Sequence, residues 1–156
     1  MGDMLTRWWT RLAPLPGGKA LFSRLLWWMV PYSGSIHPRV VDLRPGYAKV
    51  RMADRRAVRN HLRSIHAVAL ANLAEVTSGL ALTSALPASA RGIPISLAIT
   101  YLKKARGTLI AQADVRIPDA SREAEYDFES VISNAAGETV ARATVRWRIG
   151  PRPPAT

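Results

Sequence analysis

One carboxylate stands out by its surroundings. Between Ser64 and Ala90 the only formally charged residue is Glu75, set among Ala, Leu and Val with no Gly or Pro until Gly79. That stretch predicts a helix over Ile65 to Leu86, apolar nearly all round and therefore buried, with Pro87 ending it. A carboxylate in an apolar setting resists ionisation, so its pKa is expected to rise, which suits a general base. It could activate a water molecule or attack an acyl carbon directly. The first N–H groups of the same helix, at Ala67 and Val68, have no partner inside the helix and point outward with a favourable dipole. They could hold a carbonyl oxygen and the oxyanion that develops from it. Glu75 shares a helix face with Asn72, Ser78 and Gly79, three or four residues away, so these are candidates for contact with the same ligand. Two other readings of Glu75 stay open, a buried ion pair with an Arg at a subunit interface and a plain surface position.

The elements around this helix follow from punctuation and alternation. Asp3 to Leu12 reads as a short helix with Asp3 as N-cap, broken by Pro14 to Gly18. Lys19 to Val30 reads as a second helix ended by Pro31. Ile36 to Leu43 is rich in β-branched residues, and Arg44-Pro45-Gly46 is a turn. Tyr47 to Ala53 alternates, with Tyr47, Lys49 and Arg51 on one face and Ala48, Val50 and Met52 on the other, which predicts a half-buried antiparallel hairpin. Asp54 to Ser64 is a basic, polar loop. After the central helix come four strands, Ile93 to Lys103, Thr108 to Ile117, Glu123 to Ser133 and Thr139 to Ile149, the last two joined by a hairpin loop over Asn134 to Gly137. One helix followed by a run of antiparallel strands is an α+β pattern, and a single sheet that buries an all-round apolar helix has to curl around it.

The 156 residues suffice for one domain with a real core, being 48% hydrophobic. With no Cys and 3 His, disulfides, thiolate metal sites, a cysteine nucleophile and a multi-histidine metal site drop out. The formal charge is +11, which predicts attraction to phosphate-bearing partners: nucleic acid, anionic lipid or a phosphorylated cofactor. The first 60 residues carry 11 basic and 3 acidic residues, and four of the five tryptophans, Trp8, Trp9, Trp27 and Trp28. This arm is expected either to pack on the domain or a sister subunit, or to sit on an anionic membrane surface. The apolar run Leu25–Val30 is too short for the core of a secretory signal. Nucleic-acid binding lacks a helix-turn-helix, a zinc module or a strand platform of aromatics interleaved with Lys and Arg.

The run from Asn60 through His66 to Glu75 resembles the motif of hotdog-fold acyl-CoA thioesterases. There an Asn leads through a Gly-containing turn to a His-Gly-Gly helix start, and an Asp or Glu follows nine residues after the His, the spacing of His66 and Glu75. Ile95 to Arg106 with Gly107 resembles the family's long strand and turn, and Ser133 to Trp147 its last hairpin. The resemblance covers about residues 35–150 and is of the phenylacetate-pathway type, in a branch with an N-terminal helical arm. It implies a curled antiparallel sheet wrapped around one long buried helix, and catalytic roles for Glu75, His66, Asn60 and the Ala67 N–H. It also implies substrate contacts from Val68, Asn72, Ser78, Gly79 and Tyr101, with coenzyme A phosphates bound by Lys103, Lys104 and Arg106. Three positions depart from the pattern. Arg63 stands where the turn has Gly and is expected to need another turn conformation, because Gly tolerates positive φ. Ala67 and Val68 replace the Gly-Gly pair; Ala67 still offers an N–H, and Val68 narrows the space.

The expected organisation is a helical arm over 1–34, a hotdog domain over 35–150 and a disordered tail over 151–156. The expected function is hydrolysis of an acyl-CoA or acyl-carrier-protein thioester, with no cofactor beyond the coenzyme A of the substrate. The alternative is a hotdog protein that binds a fatty-acyl chain or lipid without hydrolysing it. A homodimer or homotetramer is expected, located in the cytoplasm, with peripheral contact at the inner membrane face as the further possibility.

Overall fold

The central helix sets the architecture. In a computed structural model that describes residues 2–116 and 120–153, apart from the side chain of Asp3, helix α4 spans Ala67–Ala85. His66 caps its start in an extended conformation, and Leu86, extended ahead of Pro87, ends it. Leu73, Ala74, Ala81 and Leu82 are fully buried. By length and composition α4 could cross a membrane, but here it is the core around which a sheet curls.

Three helices precede it: α1 (Gly2–Leu12), α2 (Gly18–Met29) and α3 (Pro31–Gly34). The strands are β1 (Arg39–Arg44), β2 (Tyr47–Met52), β3 (Ala90–Tyr101), β4 (Leu109–Asp114), β5 (Ala124–Ser133) and β6 (Thr139–Pro151). They form one antiparallel sheet in the order β1-β2-β4-β5-β6-β3. This is the curled sheet around one helix that the sequence leads to. The alternation in β2 holds, with Ala48, Val50 and Met52 fully buried.

Four expectations need adjustment. The first helix begins at Gly2, before Asp3, so position 3 is inside the helix rather than capping it; the Asp3 side chain lies outside the described residues. The first strand starts at Arg39 instead of Ile36, because His37 takes a positive φ of 51 and Pro38 follows it. The third strand starts earlier, at Ala90. The chain is still ordered where a tail was expected: Pro151 pairs with Ala90, and the Arg152 N–H donates to Ser89 O at 2.7 Å. The expected end of a strand at Ile117 and Pro118, and residues 154–156, lie outside the described residues.

The arm is part of this body. Leu5, Trp9, Phe22 and Leu26 are buried in the same core cluster as α4 and the sheet. Ser23 Oγ accepts the Val40 N–H at 3.0 Å, and Trp27 Nε1 donates to Pro38 O at 2.7 Å. These bonds tie α2 across β1. At the opposite edge, β3 is open, with Ile93, Ile95 and Leu97 exposed.

Candidate active site

The loop ahead of α4 is built by its own polar groups. Asn60 Oδ1 accepts the N–H groups of Leu62 and Ser64 at 3.0 and 3.2 Å, and the Asn60 N–H donates to Ser64 O at 2.8 Å. Arg63 takes φ 55, so it adopts the left-handed conformation of a glycine instead of the different turn expected for it. The bonds of Asn60 hold it there, since an isolated non-glycine residue disfavours that region. Asn60 is thus a loop organiser, and the cavities at His66 and Glu75 do not include it among their walls. Ser64 Oγ and the Ile65 N–H both reach Ala105 O, at 2.9 and 2.8 Å, which docks the loop on the turn after β3.

At the helix start His66 Nδ1 accepts the Val68 N–H at 3.1 Å. That bond consumes one of the two donors assigned to an oxyanion. The Ala67 N–H, in the first helical position, keeps the free donor geometry of a helix terminus. Tyr101 Oη donates to Ala67 O at 3.2 Å, pinning the end of β3 to this turn. His66, Val68 and Asn72 line a cavity of 240 Å³ with Tyr32 and Ser35.

Two turns further, Glu75 lines two cavities. One, of 370 Å³, is walled by Tyr32, Val68, Asn72, Pro94 and Leu97, and so shares Tyr32, Val68 and Asn72 with the cavity at His66. The other, of 150 Å³, lies under the arm, against Leu5, Leu26, Val30 and Trp147. Burial pushes the Glu75 carboxyl above the usual carboxylate range. Among the described residues no Lys or Arg of the chain pairs with it. A Cβ on Gly79 would sit 3.3 Å from the Trp147 ring and 3.9 Å from Glu75 Oε1. The missing side chain therefore gives the ring its place beside the carboxylate. Trp147 Nε1 is buried without a partner among the described residues.

The remaining candidates separate. Asn72 Nδ2 donates to Tyr32 O at 3.2 Å, joining α4 to α3. Ser78 is fully buried and its Oγ donates to Glu75 O at 3.0 Å, inside the helix rather than toward a cavity. Lys103 Nζ is 2.6 Å from Glu138 Oε1. Arg106 lies near Asp54, whose carboxylate pairs with Arg59 at 2.6 Å and accepts the Gly107 N–H at 2.8 Å. Lys104 is exposed. Sequence reasoning passed over Tyr32, Pro94, Leu97 and Trp147. Only Trp147 had a visible signal, as a tryptophan at an inward position of an alternating strand.

The family described as a domain of unknown function, DUF4442, matches residues 18–149. No curated protein matches the chain. Among solved structures, one described as a genomics target is 32% identical with a TM-score of 0.83, covering 96% of this chain and 99% of that one. A Pseudomonas aeruginosa protein described as of unknown function, probable thioesterase, is 23% identical with a TM-score of 0.77, covering 88% and 97%. A thioesterase family protein from Silicibacter pomeroyi is 18% identical with a TM-score of 0.71, covering 83% and 96%. The curled sheet and its core helix are the hotdog fold.

Proposed function

We propose that this chain, which belongs to the DUF4442 domain family, is a thioesterase that hydrolyses an acyl-CoA or acyl-carrier-protein thioester. The observation that carries the reading is Glu75, partly buried, without a cation partner among the described residues, and at the wall of cavities large enough for an acyl group. The printed descriptions of the similar Pseudomonas and Silicibacter structures support it.

The chemistry divides between the start and the middle of α4. The Ala67 N–H holds the thioester carbonyl and the oxyanion formed from it. Glu75 takes a proton from the attacking water, or attacks the carbonyl carbon itself to form a mixed anhydride that water then hydrolyses. The coenzyme thiolate leaves and is protonated. Eight residues of helix separate these groups by about 12 Å, too far for both to serve one carbonyl. A complete site therefore draws the Ala67 N–H from one subunit and Glu75 from another. The open β3 edge, with Ile93, Ile95 and Leu97 exposed, is the surface through which a second copy supplies its helix. The exposed face of α2, Leu21, Arg24 and Trp28, would meet anionic lipid.

One observation favours the second reading, acyl binding without hydrolysis: the Val68 N–H is already taken by His66. A panel of acyl-CoAs with a thiol reagent decides. Thiol release that Glu75→Gln abolishes is expected. Binding without release at every chain length would move the protein to the carrier reading.

A further inference from the structure

We propose that Arg39, Arg51 and Arg55 form a phosphate-binding site, which holds the phosphates of the substrate's coenzyme half. Arg39 and Arg51 stand directly opposite each other in the β1–β2 ladder. Like charges at such a pair repel and weaken the sheet. Arg55 follows from the end of β2, and the three arginines line one cavity of 330 Å³ with Trp27, His37 and Ala53. Among the described residues no carboxylate pairs with any of them. Arg55 Nη2 donates to Ser35 O at 3.3 Å, but its Nε is buried with no partner among the described residues. A buried charged donor without an acceptor is costly. A bound phosphate would neutralise the facing pair and give the Arg55 guanidinium an anionic partner. Guanidinium groups suit this work because their planar fork matches phosphate oxygens.

The arginines share their cavity with a stacked ring pair. His37 is held at positive φ, and its ring stacks on Trp27 at 4.5 Å with 13° between planes. Burial and the Arg55 charge lower the His37 pKa, so the positive charge of the cavity belongs to the arginines.

The position fits a long thioester. Ser35, whose carbonyl holds Arg55, also lines the cavity at His66 and Val68, at the start of α4. The Arg55–Ser35 contact thus links the arginine cavity to the one at the helix start. Lys103, the sequence candidate for this role, already holds Glu138. The owner of the phosphate rests on the thioesterase reading; the anion site does not.

The test is thermal unfolding of the full chain with pyrophosphate, with coenzyme A and with phosphatidylglycerol vesicles, alongside calorimetric titration of coenzyme A. Pyrophosphate and coenzyme A should raise the melting temperature of both wild type and Glu75→Gln. Arg51→Gln should raise the ligand-free melting temperature, by relieving the facing charges, while coenzyme A affinity falls by about tenfold or more. Arg39→Gln repeats the test from the other strand, and Arg142→Gln, at an exposed arginine of β6 paired with Glu129, should leave affinity unchanged. No shift with pyrophosphate or coenzyme A, or an affinity that both Arg variants leave intact, overturns the site. A shift with vesicles alone overturns the assignment to a soluble phosphate. A pyrophosphate shift in a protein that hydrolyses no thioester supports the site and removes the enzyme reading.

Discussion

The Val68 N–H donates to His66 Nδ1 at 3.1 Å, so the histidine spends its acceptor on its own helix. This makes His66 a cap before it is anything else. His66→Ala should lower stability by about 0.5–2 kcal/mol, the usual cost of losing an N-cap. His66→Asn should restore most of it, because Asn caps well. Chemical denaturation of the three proteins checks this. Equal stability of His66→Ala and wild type would show that the cap carries no weight.

Glu75→Gln keeps the size of the side chain and removes the base or nucleophile. Turnover should fall by about 10²–10⁴-fold, with little change in substrate affinity. No cation among the described residues is orphaned by the change, so the melting temperature at neutral pH should hold or rise. A loss of about 3–5 kcal/mol would instead reveal a buried ion-pair partner.

The same carboxyl sets a pH dependence. Its pKa in the folded chain lies above the unfolded value, because burial disfavours the charge. Folding therefore favours its proton. The resulting stabilisation is full below the unfolded pKa and is lost as pH rises through the folded one. Wild type should lose stability relative to Glu75→Gln across that window, starting just above the ordinary glutamate range. Parallel stability curves for the two proteins would contradict the shift.

The single charge in the Ser64–Ala90 stretch made both α4 and Glu75 legible in the sequence, since burial and isolation of the charge are one pattern. The arginine cavity was not legible. Arg39, Arg51 and Arg55 read as ordinary surface positions of a hairpin and loop, and only the β1–β2 register sets two of them face to face. The turn at Arg63 was misread for a related reason. Its conformation is imposed by the bonds of Asn60, which local preference cannot reveal.

The sequence left the arm two places, packed against the protein or lying on a membrane surface. Its burial in the core cluster makes it part of the fold. Phe22 is 1% exposed and meets Trp9 edge-on at 5.2 Å. Phe22→Ala should cost about 3–5 kcal/mol, and removal of residues 1–30 should abolish the cooperative transition. A truncated chain that still melts sharply would return the arm to an appendage.

Shared sites can be tested by complementation. Ala67→Pro deletes the proposed oxyanion donor at the first helical position, where Pro is well tolerated. His66 already has the extended backbone that a residue before Pro prefers. Alone, Ala67→Pro and Glu75→Gln should each be nearly inactive. Unfolded together and refolded as mixed dimers, they should recover activity. A mixed dimer carries both lesions at one site and neither at the other. If half the dimers are mixed, the pool regains roughly a quarter of wild-type turnover. Ile93→Lys, which places a charge on the open β3 edge away from the cavity walls, should lower the recovery and shift the protein toward monomer in light scattering. Mixing that restores nothing, in a protein shown to exchange subunits, would mean that each chain must work with its own Ala67 and Glu75, which about 12 Å of helix forbids for a single carbonyl. The thioesterase mechanism would then fall with the shared site.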